Sequence, residues 1–512
     1  MDEDLYVQKL IAHYLKQHSL SNTLRAFEIE VNRKFNTESI GESLTVLVKD
    51  YLKFRGLEDS AEEPDAKSSN ASNAILPIRA NTVRNATSSV NSAFTVEQQR
   101  LISEKHISIG RWTVSTPEKS AGIDLFCKTL VIFSNVDHVT LDGEVKTVGL
   151  FSTSSRSICI YDLEKRQVLV KEEGLAGRSP VKAMACIPGT GYVLICSMNG
   201  NLSISTVQKD ANTGRYGISL TGESIDLHRK LITAVNYHSF EFGAGYFCSL
   251  GWDCRLVVCK VANERSDPHL QVIGRITLPT QGTCVAVLAD EELELPIILV
   301  GRVDSSLIHV FTVDRQNEKN DVESTAELAK LSLNDSEFSS HVFHPMAIAE
   351  SSSGLVSIAT NHTPYLRIVT FALPSIREML EANLGMAFDV DRKDMLNDLH
   401  KLAQKQTEGK LDPGVPIIRN IIVSNFNAMT PQDKFSTPVL MPRPAGRNGI
   451  WIVGNDGLIR GFDLSNGKVT ETIQAHKGRI KTVSAGVLTD RDQKELIVSC
   501  GAVDREIFCW NS

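Results

Sequence analysis

The chain has 512 residues, of which 42% are hydrophobic and 22% are charged, and its formal net charge is -7. This hydrophobic fraction is enough to fill a sizeable core, and nothing in the mild acidity suggests a protein whose main surface binds polyanions. We therefore expect one large domain with smaller attachments, and no direct binding of nucleic acid.

The chain begins with Met1-Asp2-Glu3-Asp4, where a secretory signal would carry basic residues before an apolar run. No apolar stretch is long enough to span a bilayer, so no membrane binding is expected. The sequence predicts an intracellular protein, cytoplasmic, nuclear or both. Cysteines in or beside apolar, strand-like runs are predicted to be buried and reduced: Cys159, Cys196, Cys248, Cys259, Cys500 and Cys509.

Residues 5–35 predict two amphipathic helices. The first helix carries its apolar residues at three- and four-residue spacing, and the second begins after the break at residues 18–21. The stripes contain Leu5, Leu10, Ile11, Tyr14 and Leu15, then Leu24, Phe27 and Val31. Two helices of this size cannot bury their apolar faces alone, which favours self-association.

These residues match the pattern of the LisH motif in type and spacing. The matching positions are Leu10-Ile11, Tyr14-Leu15, Leu20, Thr23, Phe27 and Glu30. In that family the motif forms a four-helix dimer, so the resemblance implies a homodimer held by Leu10, Ile11, Tyr14, Leu15, Leu20 and Phe27. A third amphipathic stretch, at residues 42–55, is expected to pack on the bundle. The alternative is that the helices pack on the large domain that follows.

Residues 57–97 are rich in Ser, Asn, Ala and Thr and show no sustained period. Such a composition is typical of a flexible tether. We therefore expect a dimerisation module at residues 1–56, a linker at 57–97 and a separate domain at 98–512.

From residue 98 onward, short β-rich runs alternate with turn residues. Three of these runs end in an aromatic residue followed by Asp or Asn, at Tyr161-Asp162, Phe462-Asp463 and Trp510-Asn511. They resemble the Trp-Asp ending of WD40 repeats. Counting similar runs predicts an all-β, seven-bladed WD40-like β-propeller. Residues 107–114 are predicted to return as the outer strand of the last blade.

In WD40 blades, a His, a Ser or Thr, an Asp and a Trp form a buried hydrogen-bonded chain that leaves no polar group unpaired. The resemblance implies that the last blade forms this network from His476, Ser499, Asp504 and Trp510. The unit near residue 250 supplies His228, Ser249 and Asp253, and Cys259 stands in the Trp position.

Residues 376–410 interrupt the strand pattern with apolar residues at helical spacing, and we expect a helical insertion between two blades. Such an insertion either serves a partner or stabilises an exposed blade edge, and the sequence favours neither.

The sequence contains no phosphate-binding loop, no zinc-ligand spacing and no nucleophile elbow. We therefore expect a non-enzymatic protein without catalytic residues, cofactor, metal or small-molecule substrate. The turns after the second strand of the blades carry Arg156, Trp252, Arg302 and Arg505. Arg and Trp are frequent interface anchors, so these four are predicted to bind protein partners, although ordinary solvated turns would look the same.

A chain that combines a LisH-like module with a WD40-like propeller resembles a divergent group of LisH and WD40 proteins found in fungi, and also several scaffold families. The first hypothesis is a dimeric scaffold or substrate receptor, within a ubiquitin ligase assembly. The alternatives are a chromatin-associated corepressor-like subunit and an adaptor resembling dynein and microtubule regulators.

Overall fold

The computed structural model divides the chain into two compact units, Met1–Ser89 and Val90–Ser512. In the first unit the structure describes residues 8, 11–16, 21–31 and 34–35. In the second it describes residues 96–511 except 106–108, 113–116, 127, 241–243, 265–266, 316–323, 335–342, 353, 386–391, 407–410, 412–413, 434–436, 445–446 and 490–493.

The first unit contains a helical stretch at 11–16 and helix α1, Ser21–Glu30. The Phe27 ring stacks on Phe35 at 5.9 Å between centroids, and the backbone N–H of Phe35 donates to Glu28 Oε1 at 3.1 Å. Phe35, which follows helix α1, thus packs back onto the end of that helix. Leu10, Leu20, the stretch 42–55 and nearly all of 57–97 lie outside the described residues.

The second unit confirms the predicted seven-bladed β-propeller, because its strands form seven separate sheets of at least four antiparallel strands. Blade 1 contains β2 (Val131–Leu141), β3 (Glu144–Thr153), β4 (Ser157–Asp162) and β5 (Gln167–Glu173). Blade 2 contains β6 (Val181–Cys186), β7 (Tyr192–Ser197), β8 (Asn201–Lys209) and β9 (Tyr216–Asp226). Blade 3 contains β10 (Ile232–Ser239), β11 (Ala244–Gly251), β12 (Arg255–Glu264) and β13 (Asp267–Thr277).

The remaining blades follow the same order, with two additions. Blade 4 contains β14 (Gly282–Asp290), β15 (Leu295–Arg302), β16 (Leu307–Asp314) and β17 (Ser324–Ser332), extended by the short parallel strand β21 (Ile417–Ile418). Blade 5 contains β18 (Pro345–Ser352), β19 (Leu355–Thr360), β20 (Tyr365–Ala372) and β22 (Ile422–Pro431). Blade 6 contains β23 (Val439–Pro442), β24 (Ile450–Val453), β25 (Leu458–Asp463) and β26 (Lys468–Gln474). Blade 7 contains β27 (Ile480–Val487), β28 (Glu495–Gly501), β29 (Ile507–Asn511) and β1 (Glu118–Ile123).

The inner strands are apolar runs because a neighbouring blade covers each of their faces. All residues of β28 and all but the first of β11 are buried, whereas the outer strand β9 is mostly exposed. The core clusters join residues of adjacent blades, such as Trp451 of blade 6 with Trp510 of blade 7. Burial on both faces explains the continuous hydrophobic runs that the sequence shows.

The closing strand differs from the prediction. The outer strand of blade 7 is β1, which pairs antiparallel with β29, and the prediction that residues 107–114 fill this place is wrong. Residues 109–112 are not in a strand, because two side chains are held by other blades. Ile109 packs with the apolar residues of blades 5 and 6, and Trp112 packs in the cluster shared by blades 6 and 7.

Trp112 covers a buried ion pair at the junction of blades 6 and 7. The Arg443 guanidinium lies 3.9 Å from the centre of the Trp112 ring and donates from Nη2 to Glu495 Oε2 at 2.7 Å. The indole N–H of Trp451 donates to Glu495 Oε1 at 2.6 Å. The Arg443 and Glu495 side chains are 1% and 0% exposed. This carboxylate therefore satisfies two buried donors from the neighbouring blade.

The second unit begins with helix α2, Val96–Glu104, and the predicted insertion contains helices α3, Ile376–Leu384, and α4, Arg392–Lys405. Helix α3 begins with a capping box between Ser375 and Glu378 and ends at Gly385, whose left-handed φ of 67° suits glycine. The insertion lies within blade 5, between β20 and β22, and not between two blades as expected.

The insertion covers blade 4. Met379, Leu380 and Leu399 are fully buried in one cluster with residues of β16 and β17, and β21 then pairs with β17. Of the two roles that the sequence left open, these contacts support protection of a blade edge.

The described cysteines are all free thiols, and all but Cys254 are buried. Burial raises the pKa of Cys159 and Cys259 to about 12, which keeps both thiols protonated. No helix in the described part of the chain is long and apolar enough to cross a membrane.

Candidate interaction face

One face of the propeller is built from two kinds of loop. We call the loop before the first strand of each blade its leading loop, and the turn between the second and third strands its inner turn. The backbone N–H of Trp252 donates to Leu231 O at 2.9 Å, that of Ala502 to Arg479 O at 2.9 Å, and that of Met198 to Pro180 O at 2.8 Å. Each bond joins an inner turn to the leading loop of its blade. Both loops therefore lie on one side, which we call the loop face.

In blade 7 the four residues of the expected network lie in hydrogen-bond contact. His476 Nδ1 lies 3.0 Å from Asp504 Oδ2, and its Nε2 lies 2.9 Å from Ser499 Oγ. The Trp510 indole N–H donates to Ser499 Oγ at 3.0 Å. One tautomer satisfies all four groups, with Nδ1–H donating to the carboxylate and the serine hydroxyl donating to Nε2.

Blade 3 contains the same arrangement without the indole. His228 Nδ1 lies 2.9 Å from Asp253 Oδ1, and its Nε2 lies 2.9 Å from Ser249 Oγ. The second oxygen of Asp253 accepts the backbone N–H of Arg229 at 3.2 Å. The carboxylate therefore ties the inner turn to the leading loop. Cys259, in the Trp position, is fully buried.

Both network histidines are neutral at physiological pH. Burial lowers the pKa of His228 and of His476 below 6.5 and outweighs the opposing effect of the adjacent aspartate. Because each ring uses both nitrogens in hydrogen bonds, neither histidine presents a free base on the loop face.

Each network also needs a glycine that the sequence reasoning missed. A Cβ on Gly251 would lie 2.5 Å from His228 Nδ1 and 2.6 Å from Asp253 Oδ1. A Cβ on Gly501 would overlap the equivalent atoms of Asp504 and His476. The signal was present, because both glycines follow the network serine by two residues. No other residue leaves the histidine and the aspartate room to meet.

Two blades replace the network with arginine. In blade 6 the Arg460 guanidinium donates from Nη1 to Asp456 Oδ1 at 3.1 Å. In blade 4 Arg302 donates from Nε to His309 Nε2 at 3.1 Å, while His309 Nδ1 lies 2.7 Å from Glu327 Oε1. The sequence did not reveal the hydrogen-bonded series of Arg302, His309 and Glu327, because no WD40-like spacing links these residues.

The four predicted partner-binding residues all lie on or beside inner turns, but in different positions. Trp252 is 55% exposed, and Arg156 and Arg505 are exposed in the equivalent left-handed position of blades 1 and 7, with φ of 70° and 58°. Arg302 is half-buried, and its side chain also donates to Thr280 Oγ1 at 3.1 Å. The loop face thus presents three of the four side chains to solvent.

Two exposed apolar residues extend this surface. Leu231 is 46% exposed and adjoins Trp252 through the backbone bond given above, and Val503 is 68% exposed in the position of blade 7 that corresponds to Trp252. Within the described part of the chain, no group of three His, Cys, Asp or Glu side chains could hold a metal ion. The loop face offers apolar and cationic contact area.

Comparison with known proteins gives one family and several similar chains. The uncharacterized protein YGR117C of Saccharomyces cerevisiae is 23% identical over 336 residues, which span 62% of this chain and 61% of that protein. The β-propeller domain of Myceliophteria thermophila Cps50 (Swd1) has a TM-score of 0.43 at 11% identity, and covers 77% of this chain and 99% of its own. Saccharomyces cerevisiae Sqt1 has a TM-score of 0.48 at 9% identity, and covers 78% of this chain and 100% of its own.

The family match spans most of the chain. Residues 98–511 match the family described as UCP007778, beta-propeller domain, and this range includes all seven sheets of the structure. The chain belongs to the UCP007778 β-propeller domain family.

Proposed function

We propose that this protein is a non-enzymatic scaffold or substrate receptor that binds partner proteins through the loop face of its propeller. One observation carries the proposal: His228 and His476 are held in structural hydrogen bonds, whereas Trp252, Arg156 and Arg505 extend into solvent. Exposed Trp and Arg supply contact area and directional donors to protein interfaces.

We further propose that residues 1–56 dimerise the protein through a LisH module, tethered by residues 57–97. The helical stretch at 11–16 and helix α1 support this proposal. Ile11, Tyr14, Leu15 and Phe27 remain partly exposed within this unit, which leaves apolar surface for a second copy. The other two positions of the motif, Leu10 and Leu20, are proposed to complete the interface.

Affinity purification of the full chain, followed by mass spectrometry, tests the partner proposal. Recovery of ubiquitin ligase subunits supports a place in a ligase assembly, and recovery of histone-modifying enzymes supports the corepressor alternative instead. If neither class is recovered, both specific assignments fail.

The same experiment with variants tests the loop face. The double variant Trp252→Ala/Arg505→Ala should lose the partners that the unaltered chain recovers. The matched control is Val145→Ser, because Val145 is 55% exposed at the start of β3, at the end of that strand away from the inner turn. Equal recovery with the double variant would overturn the assignment of this face.

A further inference from the structure

The first strands of six blades share an irregularity near the loop face. In each of them one residue near the start of the strand is skipped in the pairing with the second strand, which marks a β-bulge. The first strands of successive blades also contact each other, as β2 does with β6 and β27. The skipped residues therefore form a ring around the axis: Ile132, Lys182, Thr233, Thr283, Met346 and Lys481.

Where a threonine occupies the ring, its hydroxyl bonds to the next blade. Thr233 Oγ1 donates to Gly282 O at 2.9 Å, and Thr283 Oγ1 donates to Pro345 O at 2.6 Å. These bonds tie blade 3 to blade 4 and blade 4 to blade 5. The threonines of the ring are therefore satisfied by the fold itself.

The two lysines of the ring are not satisfied in this way. Lys182 and Lys481 lie in blades 2 and 7, on either side of blade 1. Among the described residues, neither ammonium has a carboxylate within ion-pair distance. Desolvation and the charge of Lys481 lower the pKa of Lys182, and desolvation and the charge of Arg479 lower the pKa of Lys481. The two lysines of the ring therefore place positive charge near the loop face, and no described carboxylate forms an ion pair with either of them.

The charge of the surrounding loop face has the same sign. The leading loops and inner turns of blades 7, 1, 2 and 3 carry eight basic residues: Lys128, Arg156, Arg178, Arg229, Lys230, Lys477, Arg479 and Arg505. They carry four acidic residues, Asp124, Asp253, Asp504 and Glu506, and two of these bind the network histidines. Among the described residues of the same loops in blades 4, 5 and 6, the acidic ones are Asp304 of blade 4 and Asp433 and Asp456 of blade 6; Arg302 lies beside the turn of Asp304, and Arg460 pairs with Asp456. Half of the loop face is therefore cationic, and this half includes Trp252 and Leu231.

We propose that the cationic half of the loop face binds an acidic segment of a partner protein, with a carboxylate between Lys182 and Lys481 and apolar side chains against Trp252 and Leu231. This inference rests on the proposed function and specifies its partner. A bound carboxylate relieves the repulsion between the two lysines, which makes the ring selective for anionic side chains.

The surface suits an acidic peptide better than a nucleic acid. Single-stranded nucleic acids are bound by several aromatic side chains along a continuous basic groove. Trp252 is the exposed tryptophan of the described loop face, and the described loops of blades 4, 5 and 6 carry no excess of basic residues that would continue a basic groove.

Fluorescence anisotropy with the full chain tests this inference directly. The probes are a fluorescein-labelled peptide of alternating Glu and Gly, its Gln and Gly counterpart, and a labelled oligothymidine of similar length. We expect the Glu peptide to bind most tightly, and to bind about 10–100-fold more weakly to Lys182→Gln/Lys481→Gln. The control variant Lys165→Gln/Lys468→Gln removes two exposed lysines outside the loop face and should bind like the unaltered chain.

Several results would overturn the inference. They are equal binding of the Glu and Gln peptides, tighter binding of oligothymidine than of the Glu peptide, or an unchanged affinity of the lysine variant. The melting temperature gives an independent measure, because removing two repelling charges should leave it unchanged or raise it. A clear decrease would show that the lysines stabilise the fold and would also overturn the inference.

The proposed function can stand when this inference fails. If Trp252→Ala/Arg505→Ala loses its cellular partners while Lys182→Gln/Lys481→Gln keeps them and still binds the Glu peptide, the loop face binds proteins by another chemistry. If both variants keep every partner, the proposed function fails as well.

Discussion

The buried ion pair at the junction of blades 6 and 7 allows a quantitative test of the fold. The variant Glu495→Ala leaves the Arg443 guanidinium and the Trp451 indole N–H without their acceptor in a fully buried site. Removing one partner of a buried pair costs about 3–5 kcal/mol, and an unsatisfied neutral donor costs about 1–3 kcal/mol more. We therefore expect a loss of about 4–8 kcal/mol.

This loss converts into a change of melting temperature. The unit Val90–Ser512 contains 423 residues, and an unfolding entropy of about 2.1 cal/mol/K per residue gives it about 0.9 kcal/mol/K. The variant should therefore melt about 4–9 °C below the unaltered chain when the loss of circular dichroism is followed at neutral pH.

A second variant and a control isolate the cause. Arg443→Met/Glu495→Met removes both charges and should melt above Glu495→Ala, since no ion remains buried alone. Glu294→Ala breaks an exposed pair with Arg392, whose atoms lie 2.7 Å apart, and should shift the melting temperature by less than about 1 °C. If Glu495→Ala also melts within about 1 °C of the unaltered chain, the pair does not join the two blades as described.

Three further predictions concern the network, its protonation and the first unit. Deleting the last three residues removes Trp510 and its bond to the network, and should sharply lower the melting temperature; an unchanged value would contradict the assigned role of the indole. Because the pKa of His228 and of His476 is lower in the folded protein than the ordinary value of 6.5, the unfolded chain takes up protons first as the pH falls. The stability that these histidines contribute is present above pH 6.5 and is lost as the pH falls below it. The melting temperature should therefore decrease below pH 6.5, and a melting temperature that does not change with pH would contradict the lowered pKa values. Ile11→Asp/Tyr14→Asp should turn a dimer into a monomer by light scattering, and an unchanged mass would refute the dimer interface.

The propeller could be predicted because its signal is local. Each blade repeats short apolar runs between turns, and the run that ends at Trp510 keeps the spacing of Asp504 and Ser499 along one hairpin. Burial of a strand on both faces leaves a continuous apolar pattern, so the number of blades follows from counting such runs.

The choice of the closing strand could not be predicted in the same way. Residues 107–114 alternate in polarity more clearly than β1, whose sequence is Glu-Lys-Ser-Ala-Gly-Ile. Alternation reports that a segment is half-buried, and Trp112 is held by Trp451 and Arg443 in a way that no local pattern encodes. The place of the helical insertion on blade 4 was hidden for the same reason.

The sequence by itself determined the seven-bladed class, the network around His476 and the absence of a recognisable catalytic motif, because neighbouring residues carry each of these signals. Only the tertiary structure decided which distant residues meet. It paired Arg443 with Glu495, 52 residues apart, and placed Lys182 and Lys481 on either side of blade 1. Closure of the ring places blade 7 beside blade 1. The basic loops of blades 7, 1, 2 and 3 therefore lie together on one half of the loop face.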